Sequence, residues 1–294
     1  VQLRSPQGPL SLQLLMADVA AADDAPGAAG RQLVVLGRFA LRPPGAPVAG
    51  PLTLAFTLFG QAKGERQQDL TITRGPETQW LRFEPERITQ ALLPGRWELL
   101  AGTMRRGAEH VLGGADHLLF LAVVLAAGGG WRRWLGALSS FTTGHALTLA
   151  ACVVGGLSVP VRLVEPAVAA TIVGMAGFDA WGRWQGDSPR PGARMALVFA
   201  CALVHGLGLA SGLSELTAWP SGSPQLAWAL LGFNLGIEAA QVGVAALVAG
   251  AMLAWQRLAV PLALPPLGRH SSMASFGAMV AGAWWFVERV VQGG

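Results

Sequence analysis

His110, Asp116 and His117 stand in the stretch GAEHVLGGADHLLF, at the head of a long apolar run. Imidazole nitrogens with a carboxylate and no thiol suit nickel, zinc, cobalt or iron, whereas a site of oxygens alone would suit magnesium or calcium. Further ionisable groups occur in apolar surroundings: His145 in SSFTTGHALTLA, His205 in ALVHGLGLASGL and Glu238 in LGFNLGIEAAQV. Each costs at least about 2.5 kcal/mol to place in a bilayer, so it needs a partner or a water-filled cavity. A lone histidine in a span is commonly a hydrogen-bonding tie between helices. Four of the five histidines, with Asp116 and Glu238, point instead to a shared metal or proton site.

Helical spacing says which of these groups face together. His110 and His117 are seven residues apart and lie on one stripe, with Asp116 turned about 100° from His117. On a straight helix the two imidazoles are roughly 10.5 Å apart along the axis, so one ion is shared only if the helix loosens near Gly113 and Gly114. Otherwise they mark two stations along a path. Phe141, His145 and Thr148 share a face, and so do Asn234, Glu238 and Gln241, which makes Asn234 and Gln241 secondary polar members of the site. Glu165, followed by Pro166, reads as a first-turn helix start favourable to the dipole, and is a further secondary candidate. Asp179 is expected at interface depth. Gly107 and Gly114, Gly206 with Gly208 and Gly212, and Gly232 with Gly236 allow close helix packing.

The elements that must hold these residues follow from composition. The chain has 294 residues, 52% hydrophobic and 13% charged, which is the balance of a membrane protein. More than half of the charged side chains fall in the first 109 residues, so two regions are expected: residues 1–105, extracytoplasmic, and residues 106–294, a transmembrane domain. In the first, RQLVVLGRFAL, PLTLAFTLF, DLTITR, QWLRFEP and GRWELLAGT are strand-favouring runs between Gly/Pro clusters. Leu52, Leu54, Phe56 and Leu58 alternate with Thr53, Ala55, Thr57 and Phe59, and the whole reads as an all-β, sandwich-like domain. It contains no His or Cys and no catalytic set.

In the second region, apolar stretches near 107–127, 136–156, 164–183, 194–214, 225–250 and 273–291 are each long enough to cross a bilayer, giving a polytopic helical bundle of six or seven spans. Trp131, Trp134, Trp181, Trp184, Trp219 and Trp255 fall at span ends, where headgroups favour an amphipathic ring. Arg132, Arg133, Arg183, Arg190, Arg194, Arg257 and Arg269 lie in loops on one side, against Arg105, Arg106, Arg162 and Arg289 on the other. The positive-inside rule makes the first side cytoplasmic and puts the β domain outside, in the periplasm of a Gram-negative cell. The chain starts at Val1 without a leader, as expected if a signal peptide is cleaved. Cys152 and Cys201 are expected to fill space inside spans rather than pair, and His270 lies in a loop. A net charge of +4 and no arginine-rich helix exclude nucleic acid as a partner.

GAEHVLGGADHLLF, SSFTTGHALTLA, VEPAVAATIVG, VHGLGLA and GFNLGIEAAQ follow one another in an order and spacing that resemble the HupE/UreJ family of bacterial membrane proteins, from about residue 105 to 291. The resemblance implies a nickel permease accessory to hydrogenase and urease maturation. Its motif of His, five residues and Asp-His is carried here by His110, Asp116 and His117. The better studied nickel branch resembles a pattern of two His-Gly pairs and a glutamate. Here there is a single His205-Gly206, and the large outer domain looks like the second branch.

Two activities are compatible with these residues. In a permease, His110 and Asp116 receive a divalent cation, His117, His145 and His205 hold it, and Glu238 neutralises it. No G-x-x-x-x-G-K-[ST] loop is present, so coupling would be to a proton gradient or the membrane potential. In an intramembrane zinc hydrolase, the same three histidines bind zinc and its water, with Asp116 or Glu238 as general base on a peptide or lipid substrate presented by the β domain. A third possibility is a metal-independent scaffold. The partners implied are membrane lipid, the metal ion, and a protein or lipid ligand of the outer domain.

Overall fold

The computed structural model describes residues 1–5, 8–10, 12–21, 31–39, 52–59, 66–74, 77–128, 130–185, 191–209 and 218–259, with 280, 284, 287 and 288. The chain forms two compact units. One is Val1–Gly95 with Ala218–Pro220, the other Arg96–Thr217 with Ser221–Gly294.

The first unit is built of antiparallel strands: β1 (Gln2–Ser5), β2 (Gly8–Leu10), β3 (Leu12–Ala21), β4 (Arg31–Phe39), β5 (Leu52–Ala55), β6 (Gln68–Arg74), β7 (Glu77–Phe83) and β8 (Thr89–Leu92). They make a four-stranded sheet in the order β2-β1-β5-β8 and the two-stranded pairs β3-β4 and β6-β7. Period-two alternation puts Leu54, Leu81 and Phe83 into a core with Leu3, Phe56, Phe59, Leu70, Ile72 and Leu92 around them. The alternation expected to continue to Leu58 stops, because β5 ends at Ala55; Leu58 is exposed and Phe59 packs edge-on against Phe56 instead. Trp219 is buried, and its neighbour Ala218 accepts a bond from the Trp80 amide.

The second unit is helical: α1 (Arg96–Gly113), α2 (Ala115–Ala126), α3 (Trp131–Gly155), α4 (Val161–Trp184), α5 (Pro191–Leu209) and α6 (Pro224–Ala259). The run GRWELLAGT, which reads as a strand by composition, is the start of α1, and residues 105 and 106 lie inside that helix. Its buried residues Leu99, Thr103, Gly107 and Val111 recur every four positions, a helical stripe that overrides local strand preference. Among the described residues, α3, α4, α5 and α6 are each long and apolar enough to cross a membrane, and α1 with α2 passes the same test only as a bent pair, a broken span or a re-entrant loop. The protein is thus a polytopic helical membrane protein with a strand-rich N-terminal unit. The expected stretch at 273–291, and His270, lie outside the described residues apart from the four positions named. Helix α4 begins at Val161 after Pro160, so Pro166 stands in its second turn rather than its first.

Small residues set the packing. A Cβ on Gly107 would collide with the backbone of Phe233, one on Gly236 with that of Met104, and one on Gly232 with Thr103 and Leu100, so α1 and α6 run parallel in close contact. Gly144 against Phe199 and Ala202, and Gly206 against Thr148 and His145, bring α3 and α5 together in the same way. Gly208 makes ordinary contact with Val164, and Gly212 lies outside the described residues. Leu147, Leu163, Leu247 and Leu253 point outward, as a surface in contact with lipid requires.

Candidate metal centre

The helix does break where the two glycines stand. α1 ends at Gly113, Gly114 has extended backbone angles, and α2 leaves at 76° to α1. The bend brings the His110 and His117 rings to 4.4 Å between centroids, where a straight helix would hold them far apart. Gly114 is required at the corner, since a Cβ there would lie 2.7 Å from His117 Nδ1 and 3.0 Å from both Asp116 Oδ1 and the His110 carbonyl.

α3 delivers the third imidazole. His145 is fully buried, 6.0 Å from the His110 ring and 6.2 Å from that of His117. One nitrogen from each of the three falls within 4.8 Å of the others, close enough to converge on one ion. The donor atoms support that reading. His110 Nε2, His117 Nε2 and both nitrogens of His145 are buried without a hydrogen-bond partner, a costly arrangement unless something binds there. His117 is oriented by Asp116: its Nδ1–H donates to Asp116 Oδ1 at 3.0 Å, and its main-chain N–H donates to the same oxygen at 2.9 Å. A carboxylate only accepts, so the ring proton is on Nδ1 and the Nε2 lone pair is left for a metal.

His205 on α5 lies beside this trio, 5.3 Å from the His117 ring and in contact with Phe120 and Phe141. Its Nε2 is 2.9 Å from Thr171 Oγ1 on α4. The Thr171 hydroxyl donates to the Val168 carbonyl at 2.6 Å, so it must accept from His205 Nε2–H, which places the His205 lone pair on Nδ1. Spacing gives Thr171 no distinction; its signal in the sequence is a hydroxyl in an otherwise apolar run.

The α6 residues form a neighbouring polar seam with α3. Ser139 Oγ donates to Glu238 Oε1 at 2.6 Å, and Thr142 Oγ1 to Gln241 Oε1 at 3.2 Å. Asn234 donates to the Leu230 carbonyl of its own helix, leaving its buried Oδ1 without a partner. Gln241 also lines a cavity of about 10 Å³, room for roughly one water, together with His117. Glu165 is exposed on the first turns of α4, and Cys152 and Cys201 are free and buried.

Arg194 departs from expectation, and Asp179 is its partner. Arg194 is in α5, not in a loop, and forms a buried ion pair with Asp179 of α4 at 3.0 Å. An acid inside a span requires a partner, and that requirement was the available signal.

Residues 86–289 match the family described as HupE / UreJ protein. The chain belongs to this family. No curated protein and no solved structure matches it. For a HupE/UreJ protein, metal handling is the implied role, and a histidine cluster able to hold a metal stands in the membrane-embedded unit.

Proposed function

We propose that this HupE/UreJ protein is a permease for a divalent transition metal of the nickel type, in the bacterial inner membrane with its β unit on the periplasmic side. His110, His117 and His145 bind the ion, with His205 as fourth nitrogen, Asp116 orienting His117, and Glu238 with Gln241 as polar neighbours along the seam. The observation that carries the reading is the set of buried imidazole nitrogens without partners, converging from α1, α2 and α3. Burial without water or a counter-ion is costly, and a bound cation removes that cost. The adjoining cavity suits a water or an ion rather than a peptide or lipid chain, which favours transport over the zinc hydrolase.

The test is metal content by mass spectrometry on purified, detergent-solubilised protein, before and after a chelator wash, with His117→Ala alongside. A permease should lose metal to the chelator and regain it on addition of nickel only when His117 is present. Zinc that survives the wash and disappears in His117→Ala would transfer the assignment to a hydrolase. No His117-dependent metal would remove both.

A further inference from the structure

Among the described residues, the buried ion pair that the metal centre does not use is Asp179 with Arg194. Asp179 is 2% exposed and Arg194 15%. Arg194 Nε donates to Asp179 Oδ1 at 3.0 Å, and a terminal nitrogen donates both to Asp179 Oδ2 at 3.1 Å and to the Val124 carbonyl, in the last turn of α2, at 3.1 Å. The guanidinium thus sits among three oxygens contributed by two helices. Carboxylate and carbonyl oxygens are the ligands hard divalent cations accept, and here a cation tethered to the protein fills their place. Stability alone is a weak reason for such a pair, because apolar packing of similar volume commonly serves as well.

Its location supplies another reason. The cavity beside His117 is lined along α2 by His117, Phe120, Leu121 and Val124, and on α5 by Val198, one turn beyond Arg194. Val124 therefore borders the cavity and also offers its carbonyl to Arg194. The pair stands near the end of the unit where α2 and α4 finish and α3 and α5 begin. Along α5, Arg194 and His205 are separated by roughly 16 Å of helix. The histidines, the cavity with Gln241, and the ion pair form a series from the middle of the unit toward that end.

We propose that Asp179, with the Val124 carbonyl beside it, is a second cation station on the way out of the histidine centre, and that Arg194 keeps this station closed. An ion advancing through the cavity competes with the guanidinium for the carboxylate, and Arg194 returns when the ion departs. Like charges make occupation by the ion and by Arg194 mutually exclusive, which gives one-at-a-time passage without a moving helix. The inference rests on the permease reading, and its test separates the two.

Wild-type protein, Arg194→Gln, the neutral pair Asp179→Asn/Arg194→Gln, and His117→Ala/Arg194→Gln are titrated with cobalt(II), and the first three are reconstituted in vesicles holding a nickel-sensitive dye. Arg194→Gln should bind one more cobalt than wild type, with an oxygen-ligand spectrum. That extra ion should persist in His117→Ala/Arg194→Gln and vanish in the neutral pair. Nickel influx in the neutral pair, where nothing closes the passage, should rise several-fold. If Arg194→Gln does not accumulate, the influx of the neutral pair decides, and a value at or below wild type overturns the gate. Unchanged stoichiometry and influx, with His117-dependent binding intact, would likewise sink the gate while leaving the permease standing. Wild-type protein with neither His117-dependent binding nor influx would sink the permease itself.

Discussion

The behaviour of each imidazole depends on which nitrogen carries the proton. Asp116 settles this for His117, and Thr171 settles it for His205, through bonds of 3.0 and 2.9 Å. Asp116→Asn keeps the volume but removes the charge and can donate as well as accept, so it no longer fixes the His117 tautomer, and it should weaken metal binding about 10- to 100-fold while the protein still inserts. A competition titration against a calibrated chelator measures the change. Thr171→Val removes the acceptor for His205 Nε2–H, and Thr171→Ser retains it. Nitrogen NMR of labelled imidazole should show the His205 tautomer shifted in the valine variant and restored by serine. An unchanged spectrum would mean that Thr171 only fills space.

Among the elements, the corner between α1 and α2 matters most. Gly114→Ala drives a methyl into Asp116 and His117, while Gly113→Ala meets nothing within 4 Å. The first should cost about 1–3 kcal/mol of overpacking and lose the bound metal, and the second should bind as wild type. Thermal unfolding in detergent and metal content give the two readings. In the β unit, Arg82 and Asp69 pair across β6 and β7 at 2.8 Å, and the bond from Arg82 holds the Asp69 carboxyl below its ordinary value. That stabilisation is present above the ordinary aspartate range and is lost as pH falls through the lowered value. Both side chains are largely exposed, so Arg82→Ala should cost less than about 1 kcal/mol, with the difference from wild type disappearing in acid.

At the scale of the whole molecule, orientation follows from charge. Arg132 and Arg133 open α3 and Arg183 closes α4, at the same end of the unit, while Arg194 is committed to Asp179 and no longer counts as a loop charge. If the positive-inside rule places that end in the cytoplasm, Arg133→Cys should react with an impermeant maleimide only after cells are opened, and Gln2→Cys should react in intact cells. The reverse pattern would invert the topology. The residue types and order along the chain determined the membrane class, the positions of α3 to α6 and the presence of a histidine set able to hold a metal, because apolar length and imidazole chemistry are local properties. Spacing also determined that His110 and His117 could share an ion only through a break at Gly113 and Gly114. Tertiary structure alone decided that the break occurs, that His110 rather than His205 joins His117 and His145 as the three converging donors, and that Asp179 finds Arg194. Those outcomes depend on close approach between helices distant in sequence, and local periodicity carries no information about which faces meet.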